Sequence, residues 1–85
     1  MNKFKIETFY TGGGIYITEA SYLGQYAVIS SDFKECLTVY DYIDDEHKYT
    51  METMVLSAPY VELPMILQKL YKKMIKHMEK EIGKC

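Results

Sequence analysis

Residues 63–82, LPMILQKLYKKMIKHMEKEI, constrain the fold of this chain more than any other stretch. At about 100° per residue, Leu63, Leu67, Leu70, Tyr71, Met74, Met78 and Ile82 fall on one side of a helix. Lys69, Lys72, Lys73, Lys76 and Lys80 fall on the other. Pro64 suits the first turn, where a missing N–H costs little, and Gly83 suits the stop. A helix patterned this way needs an apolar surface to lie on, and the rest of the chain has to supply it.

The preceding residues read as a tyrosine-rich antiparallel sheet. In residues 3–10, Phe4, Ile6 and Thr8 alternate with Lys5, Glu7 and Phe9, the period of a half-buried strand. Gly12-Gly13-Gly14 closes a hairpin onto residues 15–22, where Ile15 and Ile17 oppose Tyr16, Thr18, Ala20 and Tyr22. Residues 26–30 (YAVIS) form a short third strand and residues 36–43 a fourth, with Leu37 and Val39 opposing Thr38, Tyr40 and Tyr42. Between them, residues 31–35 read as a polar connection, with Phe33 against the edge of the core. Residues 49–57 read as a fifth strand or a short helix, and Pro59 breaks regular structure. Every connection is short, so sequence neighbours should pair in space. The expected fold is α+β: an antiparallel meander of four to five strands, then one C-terminal helix packed on the face of Phe4, Ile6, Ile15, Ile17, Leu37 and Val39. At 85 residues the chain makes one domain, 1–85, with a thin stability margin that makes burial against a partner or a second copy valuable.

No apolar run reaches the length of a membrane span, and the N-terminal MNKFKIETFY lacks the apolar region of a secretory signal. The expectation is a cytoplasmic protein whose two cysteines, Cys36 and Cys85, are free thiols. The chain has no Arg and no Trp, so lysine alone supplies its positive charge. Lysine lacks the bidentate fork with which Arg reads guanine edges and clamps phosphates. The net charge of −2 hides an asymmetry. Residues 1–62 carry four lysines and ten acids, net −6, and residues 63–85 carry six lysines and two acids, net +4.

With the helix on one sheet face, two surfaces remain. The opposite face is expected to carry Phe9, Tyr16, Thr18, Tyr22, Tyr40 and Tyr42, bordered by the acids Asp41, Asp44, Asp45 and Glu46. Tyr offers a large contact area, few rotors and a water-tolerant hydroxyl, the profile of an interface residue. The other surface is the stripe Lys69, Lys72, Lys73, Lys76 and Lys80, either a solvated helix face or a set of phosphate contacts.

Several chemistries lack their residues. The glycine run is followed by a strand, without the Lys-Ser/Thr and helix of a phosphate-binding loop. The acids around His47 lack the alternating oxygens and central glycine of a calcium loop, and no Cys/His spacing suits zinc. His77 with Glu81 one turn later reads as a surface pair. No catalytic, cofactor or metal-binding set is expected, and no small-molecule substrate.

The expected role is therefore a small non-enzymatic binding protein that docks its acidic, tyrosine-bearing sheet surface onto a protein partner. Complementary charge favours a basic partner, such as an enzyme that handles nucleic acid. In size, acidity, lysine-only basicity and lack of catalytic motif, the whole chain resembles the small anti-defence proteins (anti-CRISPR type) carried by phages and mobile elements of low-GC bacteria. That resemblance is one of type, carried by no motif, and implies inhibition by blocking a nucleic-acid site. The rival expectation is a nucleic-acid-binding accessory protein using the lysine stripe. A third is a homodimer closed through the tyrosine face.

Overall fold

The computed structural model describes residues 5–22, 24–44, 46 and 50–83; for Tyr22 it describes the backbone only. Phe4, Asp45, His47, Tyr49 and Cys85 lie outside the described residues. Five strands form one open antiparallel sheet in sequence order: β1 (Lys5–Gly12), β2 (Ile15–Tyr22), β3 (Gln25–Ser30), β4 (Phe33–Asp41) and β5 (Met54–Pro59). A 3-10 turn (Tyr60–Glu62) leads into a single helix, α1 (Met65–Ile82). The βββββα meander expected from the alternation and the short connections is the observed fold.

The tight turns explain the meander. Gly12 pairs with Ile15, leaving a two-residue loop of Gly13 and Gly14, both at positive φ (63° and 81°). A type I′ hairpin requires that conformation at both central positions, and glycine adopts it at no steric cost. Ser30 pairs with Phe33, so β3 and β4 are also joined by two residues, Ser31 and Asp32, where Ser30 Oγ donates to Asp32. This hairpin brings residues 33–35 into β4, not into a loop, and Phe33 is 58% exposed instead of lying against the core. Pro59 ends β5 instead of excluding it from the sheet, and pairs with Cys36 at the margin.

The register decides which residues face α1. Residues directly opposite on antiparallel strands share a face. Ile6 pairs with Ala20, Ala20 with Ala27, Ala27 with Val39, and Val39 with Leu56. A second row joins Thr8, Thr18 and Ile29. From this face Thr18, Ala20, Ala27, Ile29, Leu37, Val39 and Ala58 are buried, together with Leu63, Leu70, Met74 and Met78 from the C-terminal segment. Ile15 and Ile17, expected beneath the helix, belong to the opposite face: Ile17 pairs with Phe9. The register is the reason: Thr18 and Ala20 share cross-strand rows with Ile29 and Ala27 in the core that holds the fully buried Met74 and Met78, and this sends the alternate residues of β2 to the other side.

One polar chain crosses this core. Thr8 Oγ1 lies 2.7 Å from Thr18 Oγ1 and 2.7 Å from His77 Nδ1. His77 is thus turned onto β1, half-buried, and not a residue of the solvated helix face. The chain satisfies the fully buried Thr18 hydroxyl and ties α1 to the first hairpin.

Candidate functional surfaces

The face away from α1 is built from alternate residues of all five strands. One cross-strand row runs Phe9, Ile17, Ser30; the next runs Glu7, Glu19, Val28, Thr38, Ser57; the third runs Lys5, Ser21, Tyr26, Tyr40, Met54. Phe9 and Tyr40 therefore lie on the open face as expected. The third row holds an aromatic cluster. Tyr26 and Tyr40 stack with ring centroids 5.5 Å apart, and Tyr42 meets Tyr26 edge-on at 6.5 Å. Tyr26 is only 3% exposed although it faces away from the helix. It is the residue the sequence reading misses. Its signal is the alternation of YAVIS: Ala27 and Ile29 go to the core, so Tyr26 and Val28 go to the other side.

Burial pushes the Tyr40 phenol above the ordinary tyrosine pKa, and the neighbouring Tyr26 adds to the shift. The Tyr40 phenol is therefore uncharged at neutral pH. Tyr42 is 48% exposed, with its N–H donating to the Gly24 carbonyl (2.7 Å), so its backbone is fixed at the end of the sheet. From there the segment 42–53 leads to β5, closed where the Asp41 N–H donates to the Thr53 carbonyl (2.8 Å). It presents Ile43 and Met51, both exposed, among Asp44, Glu46 and Glu52. Met54 and Val55, at the start of β5, continue the apolar surface.

The remaining candidates divide. Tyr16 belongs to the helix-facing set with Thr18 and Ala20; its ring packs at a tilt against Tyr10 (5.0 Å) at the hairpin end, and its N–H donates to Ser31 Oγ (2.8 Å). Tyr22 pairs with Gln25. Asp41 sits in the helix-facing set too, where Gln25 Nε2 donates to its carboxylate (2.8 Å). Tyr16 and Asp41 leave the open face for the same reason as Ile17 joins it, the register of β2 and β4. Asp44 is half-buried and Glu46 exposed. Acidity on the open face itself comes from Glu7 and Glu19, directly opposite one another, with Lys5 Nζ 4.0 Å from Glu7.

On the other side of the molecule Lys69, Lys72, Lys73, Lys76 and Lys80 are all exposed along α1. Two tyrosines join them. Lys72 Nζ lies 5.6 Å from the centroid of the Tyr60 ring, a cation–π distance, and Tyr60 packs on Tyr71 at 5.2 Å. Tyr71 donates to the Lys34 carbonyl (2.6 Å), and its pKa is raised by burial, then by Glu35, Cys36 and Tyr60. A shallow hollow of ≈ 390 Å³ lies among Tyr71, Lys72, Lys73, Ile75 and Lys76.

A smaller groove of ≈ 180 Å³ opens where the first turns of α1 meet Ala20, Ala27 and Val39. Small-molecule sites usually enclose about 300–1,000 Å³. Among the described residues no three His, Cys, Asp or Glu side chains group as metal ligands, and no helix is long and apolar enough to cross a membrane. No protein-family model, curated protein or solved structure matches the chain.

Proposed function

We propose that this protein is a non-enzymatic binding protein that engages a protein partner through the open sheet face at the Tyr26–Tyr40–Tyr42 cluster and the adjoining acidic segment 42–53. The observation that carries this reading is the composition of that surface. Tyr42, Ile43, Met51, Met54 and Val55 are exposed within fourteen residues and interleaved with Asp44, Glu46 and Glu52. An aromatic and aliphatic centre with a charged rim is the anatomy of a protein interface, and a monomer rarely exposes such a patch without using it. The acidic rim selects a basic partner. A nucleic-acid-handling enzyme whose substrate groove is positive fits, and occupation of that groove would inhibit it. The test is affinity capture from a host extract with wild-type protein, Tyr42→Ala and the triple change Lys72→Glu, Lys73→Glu, Lys76→Glu. The reading expects the same captured protein from wild type and the lysine variant and its loss with Tyr42→Ala. Retention by Tyr42→Ala would overturn it.

A second reading has its own observation. Tyr60 and Tyr71 stand beside the lysine stripe, so an aromatic ring and phosphate-neutralising charge share one surface. On this reading the protein binds single-stranded nucleic acid through α1, without sequence preference. A low-salt gel shift abolished by the triple lysine change supports it; no shift by the wild type removes it.

A further inference from the structure

Tyr71 and His77 both bond α1 to the sheet, with different chemistry. Tyr71 donates to the Lys34 carbonyl on β4, a bond whose direction is fixed. His77 meets Thr8 on β1, and Thr8 meets Thr18 on β2, a chain that can run either way.

Counting hydrogens fixes its direction. The chain has two bonds, each 2.7 Å, and so has room for two hydrogens. The two hydroxyls supply them: Thr18 donates to Thr8, and Thr8 donates to His77 Nδ1. The count closes only when Nδ1 is bare, which puts the hydrogen of the neutral ring on Nε2. With a hydrogen on Nδ1, three hydrogens compete for two bonds. The surplus one stays on Thr18, which is fully buried, or on Thr8 between its two partners. Among the described residues neither hydroxyl has a further bond to take it. A donor left unmet in a packed interface costs more than an ordinary hydrogen bond contributes.

Protonation of the ring meets the same obstacle. The incoming proton has one nitrogen to go to, Nδ1, the atom that accepts from Thr8. On α1, Lys73 and Lys80 lie one turn to either side of His77, and Glu81 lies one turn beyond it. α1 packs on β1 and β2, whose titratable residues on the helix side are Tyr10 and Tyr16; Lys5, Glu7 and Glu19 belong to the open face. The turn that also packs on α1 brings Tyr60 and Glu62 to its other end. One glutamate favours an imidazolium here and two lysines oppose it, so the charges around the ring do not offset the lost hydrogen bond.

We propose that the Thr18–Thr8–His77 chain is an acid-sensitive latch: neutral His77, with its hydrogen on Nε2, holds the C-terminal half of α1 on the first hairpin, and protonation releases it. The unfolded chain takes up the same proton without breaking anything. The stability that the latch supplies is therefore complete above the ordinary histidine range, near about pH 6.5, and is lost as pH falls through it. Release uncovers particular side chains. Met78 follows His77 and Met74 lies one turn before it, and both are fully buried beneath the helix. The latch does not depend on what the open face or the lysine stripe binds.

Two measurements on the purified full chain test it. Nitrogen NMR of the neutral ring is expected to show His77 protonated at Nε2 and bare at Nδ1. Oxidation by dilute peroxide, followed by mass spectrometry, is then compared at about pH 7.5 and about pH 5, on either side of the histidine range. Relative to Met65, which is exposed in the same molecule, Met74 and Met78 are expected to oxidise about tenfold faster at the lower pH. His77→Asn, whose amide oxygen accepts from Thr8 at either pH, is expected to lose that difference. A neutral ring protonated at Nδ1 overturns the proposal. So does a wild type whose Met74 and Met78 oxidise alike at both pH values, or a folded His77→Asn that keeps the difference. If His77→Asn does not fold, the tautomer and the wild-type oxidation decide.

Discussion

The two faces of the sheet are made from the same strands and differ in what they are packed with. The covered face mixes small residues (Thr18, Ala20, Ala27 and Ala58) with the fully buried Ile29 and Leu37, all in one core with Leu70, Met74 and Met78. The open face carries bulky Phe9, Ile17, Tyr40 and Met54 beside the facing carboxylates Glu7 and Glu19, with no second layer among the described residues. The contrast teaches that residue size alone does not assign a side chain to the core. The large residues left over after the core is closed are the ones available to a partner.

Truncating one large side chain on each face gives the widest separation. Met74→Ala is expected to destabilise the fold by about 2–5 kcal/mol, because Met74 is fully buried and its cavity has little room to collapse. Denaturant titration reads this directly. Tyr42→Ala, at half exposure, is expected to change stability by less than about 1 kcal/mol and partner binding by tenfold or more. If Tyr42→Ala cost as much stability as Met74→Ala, the division between the faces would collapse.

The polar crossing of the core sharpens the comparison on a smaller scale. Thr18→Val keeps the shape and removes the hydroxyl that meets Thr8, an expected loss of about 1 kcal/mol in the same titration. His77→Leu, which removes the helix partner of Thr8, is expected to cost a similar amount. Values near zero for both would show that packing alone orients α1.

Alkaline pH should produce the smallest effect, one on each side of the sheet. Tyr40 and Tyr71 both have pKa values raised in the folded state, chiefly by burial. The folded protein therefore holds these protons more tightly than the unfolded chain. Their contribution is complete below the ordinary tyrosine range, near pH 10, and is lost as pH rises through the folded values. Tyr40→Phe and Tyr71→Phe should each flatten the alkaline fall in melting temperature. An unchanged slope in both would contradict the burial assigned to these phenols.

Much of the fold is legible in the residues. The 3.6-residue period of the C-terminal stretch, closed by Gly83, marks the helix, and the bounds of β2 follow from its alternation and the glycine turn. The faces are harder to read, because hydrophobicity makes Ile15 and Ile17 look like core and Thr18 and Ala20 look like surface. Their true placement depends on strand register and on which face the distant helix covers, which no local period reports. Tyr26 escapes for a related reason: its burial comes from Tyr40 and Tyr42 across the strand pair. The acidic border divides because strand register, invisible in composition, turns Asp41 towards the helix side while Glu7 and Glu19 share the open face.

Methionine oxidation tests the central claim most directly, because the chain carries its own reporters. Met51, on the acidic segment, is 81% exposed; Met65, at the start of the helix, is 73% exposed; Met74 and Met78 are fully buried. Oxidation of each can be followed by mass spectrometry in the free protein and in the complex with its captured partner. Binding through the tyrosine cluster and its acidic rim predicts strong protection of Met51, little change at Met65 and slow oxidation of Met74 and Met78 throughout. Protection of Met65 with Met51 still reactive would place the partner on the helix side and contradict the account.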